Sequence, residues 1–292
     1  MRYQTTSIKT LVNSKKYRRL LSSYFHIKWE MSREYERLEF KVMGYILNRI
    51  YSKYSNPGLI KLAHQKKLNF EWVIEAGCHD GSDTLRFLEI PSIKKIYAFE
   101  PDEVAADKAE SKFKSHGARV ELRRTALMDL PGFIEMKSPT GEFGDGNSIV
   151  SKLETDTKKN KSNGKYLRCS NLDTELQNLT GSGVMWLDVE GAAARVLAGS
   201  SRVLSSVSLI QVEVELHNSK HRKADFTKVN RILNRSKFSL IYAPLHPGFF
   251  GDAIYIKTEY LSLVEKIRSR SLNATYALLH LVIYPALGKP RS

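Results

Sequence analysis

After Phe70 the chain keeps changing period: short apolar runs alternate with stretches whose apolar residues recur at helical spacing. No other feature restricts the fold as much, because parallel strands need long crossovers and helices are the usual ones. The apolar runs predict strands at 72–75, 95–99, 120–122, 184–188, 208–214, 238–242 and 253–257. Helices are expected between them at 82–88, 102–115, 172–179, 192–197 and 226–234. Seven strands suit one α/β domain, a mostly parallel sheet with helices on both faces. The segment 139–164, rich in Gly, Ser, Asn, Asp and Lys, is read as a long polar loop, either a substrate lid or a plain mobile connection.

Upstream, Leu38, Val42, Ile46 and Ile50 recur every fourth residue with basic residues between them, which predicts a helical N-terminal extension over 1–67, interrupted at Asn56, Pro57 and Gly58. The main domain is expected at 68–257 and a C-terminal helical tail at 258–292. Charge separates the three. The formal total is +15, yet 1–67 hold 15 Lys and Arg against 4 Asp and Glu, 258–292 hold 5 against 2, and the middle holds 26 against 25. Nucleic-acid enzymes line their working groove with cations, so the near-neutral middle argues against a nucleic-acid partner. The basic end suits a solvated helical cap or peripheral contact with an anionic membrane. No run reaches the roughly 20 apolar residues of a membrane span. The basic start lacks an apolar leader with a cleavage site, and the two cysteines, Cys78 and Cys169, lie far apart. The expectation is a cytoplasmic protein, peripheral at the membrane at most.

Chemistry concentrates at strand ends. Glu75-Ala-Gly77-Cys78-His79-Asp80-Gly81 closes the first strand, where Gly77 permits a sharp turn and Gly81 lets backbone approach a ligand. The spacing is GxxxG, whereas a dinucleotide site shows GxGxxG. Glu100 ends the second strand 23 residues past Gly77, placed to accept two hydrogen bonds from a ribose diol. Glu75 and Asp80 would repel a pyrophosphate and favour a sulfonium and an ammonium, so the pattern points to S-adenosylmethionine over NAD. Glu75 could also be a paired structural carboxylate, Cys78 and His79 could act through their backbone, and His79 could be a base. The fourth strand ends in Asp188, Val189 and Glu190 before Gly191, delivering two carboxylates where open α/β sheets bind ligands.

Together, the stretch from Glu75 to Thr84, Ala98-Phe-Glu-Pro-Asp102, Thr125-Ala126-Leu127, Asn171-Leu-Asp173, Leu187-Asp-Val-Glu-Gly-Ala192 and Val196-Leu-Ala-Gly199 resemble the FkbM family of S-adenosylmethionine-dependent methyltransferases. The resemblance spans about residues 70–257, and Asp-Val-Glu-Gly is its most specific part. It implies a class I methyltransferase fold, Rossmann-like, and methyl transfer to a hydroxyl of a sugar, glycan or related small metabolite. Carried over, Glu75, Gly77, Cys78, His79, Gly81, Glu100, Ala126 and Asp188 bind the cofactor, and Asp188 and Glu190 face the reaction centre. The chain departs from the family at Glu75, where Asp is frequent, and at Ala193, where a second Glu is frequent. Ser148 matches a small polar position that could touch cofactor or substrate, or merely stabilise a turn.

Gln211-Val-Glu213-Val-Glu215-Leu-His217 alternates acids along a strand, so Glu213, Glu215 and His217 share a face, with Glu215 or His217 expected at the cleft. Asp188, Glu190 and His217 are the candidate bases for an acceptor hydroxyl. Asp188 and Glu190 with Glu213 or Glu215 could instead hold Mg²⁺ and lower the alcohol's pKa, although no metal site is assigned. The competing readings are a nucleic-acid methyltransferase, for which no Asn-Pro-Pro-Tyr or Asp-Pro-Pro-Tyr motif is present, and a non-catalytic binding protein on the same fold.

Overall fold

The computed structural model describes residues 58–137, 148–154, 165–216, 225–243 and 250–278. Residues 1–57 of the expected helical extension, and His217, lie outside these residues. In chain order, the first half runs α1 (Leu59–Gln65), β1 (Trp72–Ala76), α2 (Ser82–Leu88), β2 (Lys95–Phe99), α3 (Glu103–Phe113) and β3 (Val120–Arg123). Next come β4 (Ala126–Leu127), β5 (Gly132–Lys137), β6 (Ser148–Glu154), β7 (Lys165–Ser170) and α4 (Leu172–Glu175). The second half runs β8 (Gly183–Leu187), α5 (Ala193–Ala198), α6 (Val203–Ser206), β9 (Val207–Glu215), α7 (Phe226–Arg235), β10 (Phe238–Tyr242), β11 (Phe250–Lys257) and α8 (Leu263–Leu278).

Seven strands form the main sheet in the order β3-β2-β1-β8-β9-β11-β10. All neighbours are parallel except β11, which is antiparallel to both β9 and β10. The chain leaves β1 toward β2 and β3 and returns on the opposite side at β8, so the switch point between β1 and β8 opens a crevice at the strands' carboxyl ends. Both faces of the sheet are covered, which is why its strands read as near-continuous apolar runs. One face carries Ile74, Met185, Leu187, Ile210 and Val212 with Val196 of α5 and Val229 of α7. The other carries Val73, Ile96, Val184 and Leu209 with Phe87 of α2 and Leu59, Leu62 and Ala63 of α1. Helix α1, inside the segment read as an extension, therefore contributes to this core. Helix α3 starts where Asp102 caps it, its carboxylate accepting the amides of Val104 and Ala105.

The segment 139–164 is not a loop throughout. Strands β4, β7, β5 and β6 make a second, four-stranded sheet, with β6 inside that segment. In β7, Leu167 and Cys169 are buried and Arg168 is exposed.

Candidate active site

The first two strand ends are tied together by backbone. Gly77 and Cys78 both donate their amides to the carbonyl of Phe99, at 2.9 and 3.1 Å. Beyond them the chain turns through His79 at φ 47°, a left-handed value uncommon for a residue with a Cβ. That turn aims the His79 amide at Glu100 Oε2 (2.9 Å), while the Asp102 amide donates to Oε1 (2.8 Å). Glu100 is buried, and burial raises its pKa against the pull of those two amides. A carboxylate offers about four acceptor positions, so each oxygen keeps capacity for a further donor. The Cys78 side chain is buried, with its thiol pushed up by burial, and the His79 side chain is exposed.

Glu75 is buried in the middle of this floor, 3% exposed, and accepts a hydrogen bond from the Thr84 hydroxyl at the start of α2. Burial pushes its pKa up to about 8, opposed by the Thr84 bond and reinforced by Asp83 and Asp188. Burial thus favours its protonated form, which the Thr84 hydroxyl braces. Asp80 does not contribute a free charge to the turn either: Lys112 pairs with it at 2.6 Å and, with Ser82, holds its carboxyl well below the usual range. Gly77 and Gly81 serve chain packing. A Cβ on Gly77 would lie 1.8 Å from the carbonyl oxygen of Asp188, and one on Gly81 would lie 2.5 Å from the Phe113 ring. The room at Gly81 is therefore occupied by α3, where a ligand's approach was expected.

The other side of the switch point is built from side chains. Asp188 follows β8 directly, its amide donating to the Ala76 carbonyl at 2.9 Å. Leu187 pairs with Val212, so Asp188 comes level with Glu213, and Glu213 pairs with Asp252 of β11. One carboxylate oxygen from each of Asp188, Glu190 and Glu213 lies within 4.8 Å of the others. Glu190 reaches this position from a φ of 47°. A divalent ion could take these three oxygens, and so could a single proton.

Of the two acids read as companions for Asp188 and Glu190, Glu213 is the one that joins them, while His217, expected with Glu215 at the cleft, lies outside the described residues. Glu215 is 2% exposed and sits against Gly191, its amide bonded to Asp225 Oδ1 at 2.9 Å. Burial, reinforced by Glu215, pushes Asp225 up to about 6. Ala126 lies in β4 opposite Cys169, its side chain in the main core. Ser148 begins β6. Asp252 was not anticipated: it accepts a hydrogen bond from Gln211 at 3.2 Å, and its carboxyl is raised by burial. The sequence signal was its place just before the apolar run 253–256, but only the β9–β11 pairing brings it to Glu213.

A seven-stranded sheet of this order, with carboxylates at the ends of β1, β2 and β8, is the class I methyltransferase fold. The methyltransferase FkbM domain matches residues 75–240, more than half of the chain, and the protein belongs to the FkbM methyltransferase family. A curated relative, the 2-O-methyltransferase NoeI of Sinorhizobium fredii (strain NBRC 101917 / NGR234), is 26% identical over 156 residues. That match covers 48% of this chain and 62% of the relative, so the chain spans about three fifths of its length. The crystal structure of methyltransferase FkbM from Methylobacillus flagellatus KT superposes with TM-score 0.42 and 11% identity, covering 64% of this chain and 44% of that one. A putative methyltransferase from Streptococcus mutans in complex with SAH gives TM-score 0.37 and 14% identity, covering 68% and 96%.

Proposed function

We propose that the chain is an S-adenosylmethionine-dependent O-methyltransferase acting on a hydroxyl of a sugar, glycan or related small metabolite. The observation that carries this reading is the Glu100 carboxylate, fixed at the end of β2 by the amides of His79 and Asp102 with acceptor capacity left for a diol. The donor set fits a cationic cofactor: Glu75, Asp188, Glu190 and Glu213 border the same crevice. S-adenosylmethionine supplies, when bound, a methyl group on a sulfonium. Glu100 would accept from its ribose, and Glu75 would offer a carboxyl group on the side of its ammonium. On the acceptor side, Asp188 and Glu190 orient a hydroxyl, and the carboxylate group they form with Glu213 takes its proton as the oxygen becomes acidic. The printed activity of the NoeI relative, 2-O-methylation, supports oxygen as the acceptor atom.

Calorimetry against S-adenosylmethionine and NAD tests the cofactor half. The expected result is binding of the former alone, weakened about tenfold or more in Glu100→Ala by loss of a bidentate acceptor. Labelled methyl donor incubated with extracted glycans, lipids and nucleic acids tests the acceptor half, with label expected in the glycan-bearing fraction. Label in nucleic acid would overturn the acceptor class, and NAD binding would overturn the reaction.

A further inference from the structure

Helix α8 has two unlike faces. Its inner face is buried through Ser269, Leu272 and Tyr276, and Tyr276 stacks on Phe226 of α7 with ring centroids 3.7 Å apart. Its outer face exposes Leu263 (73%), Val264 (57%), Ile267 (58%) and Leu278 (51%), with exposed Ser271 and Ala274 filling the gaps between them. At 100° per residue these six fall within one stripe about 100° wide, running some 22 Å along the helix. Arg270 borders the stripe on one side and Arg268 on the other, and both are exposed. The one acid of the helix, Glu265, points away, engaged by Lys66 of the α1 segment and by Ser262. The stripe therefore carries large exposed apolar groups, flanking cations and no anion of its own.

An apolar patch of this size on a domain that already has a full core marks a contact surface. A second copy of the same face is poorly matched, because a two-fold contact would set arginines against arginines. An anionic bilayer is well matched: aliphatic side chains enter the boundary between headgroups and acyl chains, and guanidiniums on both flanks reach lipid phosphates. We propose that the outer face of α8 is a docking surface for anionic membranes, seating the domain peripherally through Leu263, Val264, Ile267 and Leu278. The inference is independent of the reaction proposed above. It also differs from binding by the basic N-terminal segment, since here apolar contact and charge act together at a defined place.

The test is flotation of the full chain with vesicles of phosphatidylcholine alone and of phosphatidylcholine mixed with phosphatidylglycerol. The wild type is expected to float with the mixed vesicles and not with the neutral ones. Leu263→Glu/Ile267→Glu and, separately, Arg268→Glu/Arg270→Glu are each expected to lower partitioning about tenfold or more. All four positions are solvent-exposed, so thermal unfolding should stay as in the wild type, and S-adenosylmethionine affinity serves as a separate control on the reaction. Unchanged flotation of the double variants would assign binding to another part of the chain and overturn the proposal. So would failure of the wild type to float, or a concentration-dependent dimer in sedimentation that the Leu263→Glu/Ile267→Glu variant abolishes.

Discussion

The two sides of the β1–β8 crevice are built by different means. On the β1–β2 side the contacts are made by main chain: Gly77 and Cys78 bond to Phe99, and His79 and Asp102 bond to Glu100. On the β8–β9–β11 side the polar groups are carboxylates brought level by strand register, Asp188 beside Glu213 and Glu213 beside Asp252. A backbone cradle tolerates changes in the side chains it passes through, whereas a side-chain cluster loses its chemistry one residue at a time. The first kind of construction suits a ligand common to many enzymes, the second a ligand particular to one.

The two sides meet at Gly77, and substitution there should break both. Gly77→Ala forces a Cβ to within 1.8 Å of the Asp188 carbonyl from a φ of 84°. It is expected to cost about 3 kcal/mol or more in denaturant unfolding, with loss of cofactor binding. Separation of the sides is the next test. Asp188→Asn and Glu190→Gln should lower turnover about 100-fold and change S-adenosylmethionine affinity by a few-fold at most. Glu100→Ala should do the reverse, weakening affinity first and costing about 1–3 kcal/mol of stability because two inward-facing amides lose their acceptor. Rescue by added Mg²⁺ after chelation would move the acid cluster from proton acceptor to metal ligand set.

The pH dependence of stability sharpens the contrast further. Glu75 has a folded-state pKa of about 8 against an ordinary value of 4.5. Between those values the folded chain keeps a proton that the unfolded chain has released, so this group makes stability fall as pH rises through that window. Glu75→Gln should flatten that part of the pH profile measured by thermal unfolding, and should be most stabilising at the alkaline end. The smallest effect is expected at His79, whose amide works and whose ring is exposed. His79→Asn, which tolerates a positive φ, should change affinity less than about twofold, whereas a catalytic imidazole would show as a collapse of turnover.

The main sheet was legible because buried parallel strands announce themselves as apolar runs. Strand β2 at Lys95–Phe99, helix α2 at Ser82–Leu88 and strand β10 at Phe238–Tyr242 have the bounds read from the sequence. The second sheet was not legible, since β6 and β7 lie in or beside a stretch whose Lys, Asn and Ser content outweighs its alternation. At the site, Glu75, Glu100, Asp188 and Glu190 stood out as acids ending apolar strands. What periodicity could not decide was which acid of β9 joins them. Glu213 and Glu215 share a strand face in principle, and only the register with β8 and the Asp225 contact separates them. Asp252 depends on a pairing between strands that are not neighbours in sequence.

The placement of β11 between β9 and β10 also bears on how the chain is made. Strand β9 is buried almost throughout and pairs with β8 on one side, and its other edge is closed by β11, the last strand in chain order among the described residues. Until Lys257 has been made, a nascent chain presents a long apolar edge with unpaired amides and carbonyls, the kind of surface that recruits other chains. Truncation anywhere before β11 therefore removes a strand and also uncovers the edge it was shielding, and such fragments are expected to aggregate where the full chain folds.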